Sequence, residues 1–130
     1  LRYTFHWYPN GPNEYFDYMK LLLKKSASLN RGLFVSEYGD ADVWGSPIKP
    51  NSVQKFWNIM DQHKISHIKW TFVNVNDPNR PDYGMSVYLN NCKPNQLYQD
   101  YCISKSGKLF QRHMWGYNND TKTSAKKSFN

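Results

Sequence analysis

Glu37 stands near the end of "GLFVSEYG", residues 32 to 39, and is one of only two glutamates in the chain. A carboxylate closing an apolar run is costly unless it is hydrogen-bonded or used. A phenol or an imidazole N–H beside it would stabilise the ionised form, as a carboxylate nucleophile requires. The stretch "YTFHWYP", residues 3 to 9, supplies both groups. Read as a strand, it puts Tyr3, Phe5 and Trp7 on one face and Thr4, His6 and Tyr8 on the other. Trp70, within "SHIKWTF" at residues 66 to 72, adds a flat π face on which a ring can stack. Taken singly, each residue has an ordinary reading: a strand-end Glu is commonly solvated, and an inward His or Trp is commonly core. The expectation that all four meet at one sheet edge carries the chemistry.

Three strands are expected to deliver them, at residues 2–8, 32–39 and 66–72, with helices at 14–25, 52–63 and 106–115. The first helix carries a stripe of Phe16, Met19 and Leu23, with Tyr15 and Leu22 beside it. In the second, Val53, Phe56, Trp57 and Met60 fall at i, i+3, i+4 and i+7, and Asn51 or Ser52 is the expected cap. The order βαβαβ, loop, α implies a parallel sheet with right-handed crossovers and helices outside it. In such sheets function gathers at the carboxyl ends of the strands. Strict alternation places Leu33, Val35 and Glu37 on one face of the second strand, and Ile68, Trp70 and Phe72 on one face of the third. The long segments 40–51 and 73–103 follow strands, where a substrate would sit, whereas the helix-to-strand links are short.

A chain of 130 residues with 39% hydrophobic and 17% aromatic content can bury a core, so one domain or part of a larger one is expected. The net charge of +7 permits an anionic partner, but Lys24–Lys25 and Lys126–Lys127 are the only adjacent basic pairs. With no basic stripe, a solvated surface is the plainer reading, and no nucleic-acid partner is expected. No run reaches the length of about 18 apolar residues that a membrane helix needs, so no membrane association is expected. Cys92 and Cys102 close a short loop; a disulfide there would add about 2–3 kcal/mol, with two buried thiols as the alternative. The sequon Asn119-Asp120-Thr121 leans toward export. His63 and His67 lie four apart without a third ligand at a telling distance, so no metal is expected. The chain lacks an initiator Met and a leader, from which a truncated sequence is expected.

In this order and spacing, "YTFHWY", "GLFVSEYG", "IKWTF" and "SKSGKLFQ" resemble the last three βα units of family 5 glycoside hydrolases, the cellulase family of (β/α)8 barrels. The resemblance implies an α/β fold, the C-terminal portion of a TIM barrel, over residues 1–115, followed by a polar basic tail at 116–130. It implies that Glu37 is the nucleophile of a retaining endo-β-glycosidase, an endo-1,4-β-glucanase in the first place, that His6 and Tyr8 support it and touch the sugar, and that Trp70 is a stacking platform. The implied partner is a β-linked polysaccharide, the implied setting secretion, and no cofactor is called for.

The departures from the family are local. Val75 stands where many members carry a Lys, and the loop "YGDADVWG" differs, with Trp44 as a possible replacement platform. Retention needs a second carboxyl about 5 Å from the first. Asn13-Glu14 in "PNEYF" lacks the family's following Pro and opens a helix, where Glu14 suits the helix dipole. The acid/base is therefore expected outside this chain, and these residues alone are expected to be inactive. A non-catalytic carbohydrate-binding module and a basic nucleic-acid-binding domain are the alternative readings.

Overall fold

The computed structural model describes residues 2–9, 14–41, 47–72, 85–89, 92–97 and 99–127. The strands are β1 (Arg2–Trp7), β2 (Gly32–Tyr38) and β3 (His67–Lys69), and the helices are α1 (Glu14–Ser28), α2 (Pro50–Gln62) and α3 (Lys105–Lys127). The sheet is parallel, in the order β1-β2-β3. Consecutive strands are thus neighbours, and the helices that join them pack on one face. Trp7 of β1 stacks on Phe56 of α2 at 4.4 Å and meets Phe16 of α1 at 5.4 Å. The core comprises Trp7, Phe16, Met19, Val35, Tyr38, Val53, Phe56, Trp57 and Met60, with Leu109 and Phe110 of α3 packed against it. A singly wound βαβαβ arrangement follows, with all three helices on the same side.

The stripe of α2 is the expected one: Val53, Phe56, Trp57 and Met60 are all buried. Its start differs from expectation. Pro50 opens the helix after Lys49, and no side chain caps it. A proline at the first helical position has its φ already set and lacks an N–H that would otherwise need a partner, so Asn51 and Ser52 lie inside the helix. α3 also runs past the expected end at 115, to Lys127. Its apolar periodicity stops near there, but the Lys, Ala and Asn that follow do not break a helix. Ser104 begins it, its Oγ accepting the Gly107 N–H at 2.9 Å.

Two expectations about the strands are corrected. Phe5 pairs with Val35 but His6 pairs with Glu37, so β2 holds one extra residue at Ser36. The resulting β-bulge breaks the alternation. Val35 faces the helices with Phe5, while Glu37 turns to the opposite face with His6, and Tyr38 returns to the core beside Trp7. Val35 and Glu37 therefore do not share a face. β3, expected to reach residue 72, ends at Lys69. The chain then turns to residues 85–87: Thr71 N–H donates to Met85 O, and Val87 N–H to Thr71 O. Phe72 consequently leaves the Trp70 face and packs edge-on to Phe110 of α3 at 5.9 Å.

A disulfide joins Cys92 and Cys102. Trp44, Val75 and Asn13 lie outside the described residues, as do the side chains of Glu14 and of the sequon. Among the described residues, no helix is long and apolar enough to cross a membrane.

Candidate active site

The face of the sheet away from the helices carries Thr4, Phe34, His6, Ser36, Glu37 and Ile68, with Trp70 just past the end of β3. Thr4 Oγ1 donates to Ser36 Oγ at 2.7 Å, spanning β1 and β2 at the bulge. One step further along, the Tyr8 hydroxyl donates a hydrogen bond to Glu37 Oε1. His6 Nδ1 lies 3.9 Å from Glu37 Oε2, within ion-pair reach when the imidazole is protonated. The Glu37 side chain keeps 24% of its surface accessible and His6 keeps 58%, so the pair opens to solvent. The structure thus brings Glu37, Tyr8 and His6 together. Trp70 directly follows β3, 45% exposed, and its indole makes no hydrogen bond or ring contact among the described residues.

Tyr8 is held by packing. Its ring lies with Ala41 and Met85 in a small cluster of their own. Gly39 permits this, because a Cβ there would lie 2.6 Å from two Tyr8 ring carbons and would run into the Met85 sulfur. Any side chain at 39 must therefore move the phenol that reaches Glu37. Burial pushes the Tyr8 hydroxyl well above the usual phenol range, and the hydrogen bond to Glu37 and its charge push it the same way. At neutral pH the hydroxyl is a proton donor.

Beneath the rim lies a device the sequence reading missed. Lys69, 4% exposed, donates to Asp40 Oδ1 at 3.3 Å, Trp70 O at 2.6 Å and Met85 O at 2.7 Å. A lysine ammonium has three donors, so all are engaged. They tie the end of β2, the Trp70 backbone and the returning segment into one rim. Burial lowers the Lys69 pKa, and the Asp40 charge and hydrogen bond oppose that shift. Lys49 adds a second tie, its Nζ donating to Pro9 O at 2.7 Å. The available signal was the lone Lys between Ile68 and Trp70, which alternation assigns to the helix side of the sheet.

On that side, burial pushes the Tyr38 hydroxyl upward, with a smaller opposing contribution from the Trp57 indole N–H donating to it at 3.0 Å and further upward pushes from Asp40 and Asp61. Burial lowers the pKa of His67, the charge on His113 lowers it further, and Asp61 opposes; His113 is likewise lowered by burial against Asp61.

Eleven chains of solved structures match this one, two of them as follows. A structure from Cytophaga hutchinsonii matches at 25% identity with a TM-score of 0.74, covering 95% of this chain and 38% of that one. Cellulase Cel5C_n matches at 25% identity with a TM-score of 0.58, covering 86% of this chain and 32% of the cellulase. The chain thus spans about a third of the length of each of these two structures. No family model and no curated protein matches it. The similarity to a cellulase is distant, and it supports a glycosidase-like reading at the level of fold.

Proposed function

We propose that this chain is the C-terminal part of a (β/α)8 barrel of the family 5 glycoside hydrolase type, and that Glu37 is its retaining nucleophile. The observation that carries the reading is the bulge at Ser36, which turns Glu37 out of the helix-packed face and onto that of His6, where the Tyr8 hydroxyl meets it. The similarity to Cellulase Cel5C_n supports it. Three parallel strands with α1, α2 and α3 on one side form an arc of such a barrel, and a full one needs about 250 residues.

In this reading Tyr8 holds Oε1, and Oε2 attacks the anomeric carbon of a β-linked glucan to form a glycosyl-enzyme ester. The C1–O bond to the leaving sugar breaks as that oxygen takes a proton from a second carboxylic acid supplied by another part of the barrel. Water then cleaves the ester, giving up its proton to that same carboxylate. His6 orients Glu37 and contacts the sugar bound beside it, and Trp70 stacks against that sugar. Secretion fits the disulfide and the polymeric substrate.

The test has two arms. The 130-residue chain releases no reducing sugar from carboxymethylcellulose above its Glu37→Gln variant, because general acid catalysis worth about 10²- to 10⁴-fold is missing. In the longer polypeptide, Glu37→Ala abolishes hydrolysis, and azide restores turnover as a glycosyl azide of inverted configuration. Turnover by Glu37→Ala without azide overturns the reading. A chain that binds cello-oligosaccharides with unchanged affinity in the Glu37→Ala and Trp70→Ala variants also overturns it, in favour of a binding module.

A further inference from the structure

Asp61 lies in the last turn of α2, His67 opens β3, and His113 lies within α3. They are distant from Glu37 in role and place, since His67 is at the amino end of its strand and Glu37 near the carboxyl end of β2. One potential ligand atom from each lies within 4.8 Å of the others. The fold makes the meeting rigid. The turn after α2 passes through Lys64 at φ 53°, a left-handed position that reverses the chain and returns His67 alongside Asp61. The His67 ring is held edge-on by Tyr38 at 5.0 Å and Phe56 at 5.6 Å, and His113 lies flat on Trp57 at 4.1 Å.

One atom in this cluster is unexplained. His67 Nδ1 is buried without a hydrogen-bond partner among the described residues. Buried polar atoms are nearly always paired, and each exception calls for a cause. Asp61 and His113 also line a groove of about 590 Å³ between α2 and α3, with Asn58, Arg112 and Gln54 along it, so the cluster is open to solvent on one side.

We propose that Asp61, His67 and His113 form a binding site for a divalent transition metal, with Zn²⁺ as its reference ion, which clips α3 to the end of α2 and the start of β3. Two imidazoles and a carboxylate suit zinc, whereas calcium and magnesium demand sets of oxygen ligands. Zinc bonds of about 2.0–2.2 Å bring tetrahedral ligand atoms to roughly 3.4 Å from one another, a closure that side-chain torsions can supply from the present spacing. Three protein ligands leave a fourth position, which water from the groove fills. The pattern is not legible as a sequence motif, because His113 comes from a helix far along the chain. His63, nearer to His67 in sequence, is not part of the cluster.

The experiment is calorimetric titration of the metal-stripped 130-residue chain with ZnCl₂, paired with thermal unfolding in Zn²⁺, Ca²⁺ and Mg²⁺. The expected result is one equivalent of Zn²⁺ bound and a rise in Tm that Ca²⁺ and Mg²⁺ do not give. His113→Phe retains a ring on Trp57, and Asp61→Asn is a surface change, so both should keep the far-ultraviolet dichroism of the parent. Each should weaken Zn²⁺ binding by more than about tenfold, the loss that even an outer partner of a metal ligand brings. His63→Gln should leave it unchanged. Absence of saturable binding overturns the proposal. So does undiminished affinity in either ligand variant, or loss of binding in His63→Gln.

Discussion

The two faces of the same three strands are built on opposite terms. The helix side is closed: Trp7, Tyr38, Phe56 and Trp57 interlock, and the indole of Trp57 donates to the Tyr38 hydroxyl. The other side is polar and open, with Thr4 bonded to Ser36, His6 and Tyr8 gathered at Glu37, and Trp70 exposed. A regular strand assigns faces by parity alone. Here one extra residue at Ser36 lets β2 place Val35 and Tyr38 in the core and still present Glu37 outward. The comparison teaches that stability and chemistry are separable in this sheet: helix-side substitutions should unfold the chain, and open-face substitutions should leave it folded.

The largest expected effect is on the closed side. Trp57→Ala removes a fully buried indole, its stack with His113 and its bond to Tyr38, and should cost about 3–5 kcal/mol in urea unfolding. A loss below about 1 kcal/mol would break the contrast between faces.

Lys69→Met should come close behind, at about 3–5 kcal/mol, because it strands the fully buried Asp40 carboxylate. Adding Asp40→Leu should recover much of that loss, and failure to recover would show that the backbone ties to Trp70 and Met85 dominate.

Tyr8→Phe should cost only about 1 kcal/mol, while strongly impairing hydrolysis in the longer polypeptide. Its pH signature has a definite sign. The Tyr8 pKa is raised in the folded state, so its contribution is complete below the unfolded phenol value of 10.0 and is lost as pH rises beyond it. Lys69, with a lowered pKa, works in the opposite direction, so tyrosinate absorbance near 295 nm is the cleaner readout. One fewer late-ionising tyrosine in Tyr8→Phe than in the parent is the expected outcome.

The smallest effect on folding is Trp70→Ala, within about 0.5 kcal/mol for so exposed a side chain. Its consequence should instead fall on sugar binding, read as a rise in KM.

How far the sequence revealed this depends on the signal each element carries. The α2 stripe was legible because Val53, Phe56, Trp57 and Met60 follow the helical period and every one is buried. The meeting of His6, Tyr8 and Glu37 was legible from strand ends and residue types, although for Glu37 the assumed parity was wrong and the bulge supplied the right face. No local period marks a bulge in a run as uniformly apolar as "GLFVS". Lys69 was hidden because its burial depends on Asp40 and the Met85 carbonyl, which are brought to it only by the tertiary fold. The true end of β3 was hidden for a like reason: Thr71 exchanges its sheet neighbour for residues 85–87, a choice made outside the strand itself. Asp61, His67 and His113 come together from two helices and a strand, so no spacing rule could find them.

The most direct measurement of the central claim is covalent trapping. A polypeptide carrying the complete barrel proposed above is treated with an activated 2-deoxy-2-fluoro β-glycoside, which accumulates the glycosyl-enzyme ester, and its peptides are mapped by mass spectrometry. The account predicts one fluoroglycosyl group, on Glu37. A label on any other carboxylate, with Glu37 unmodified, would contradict it.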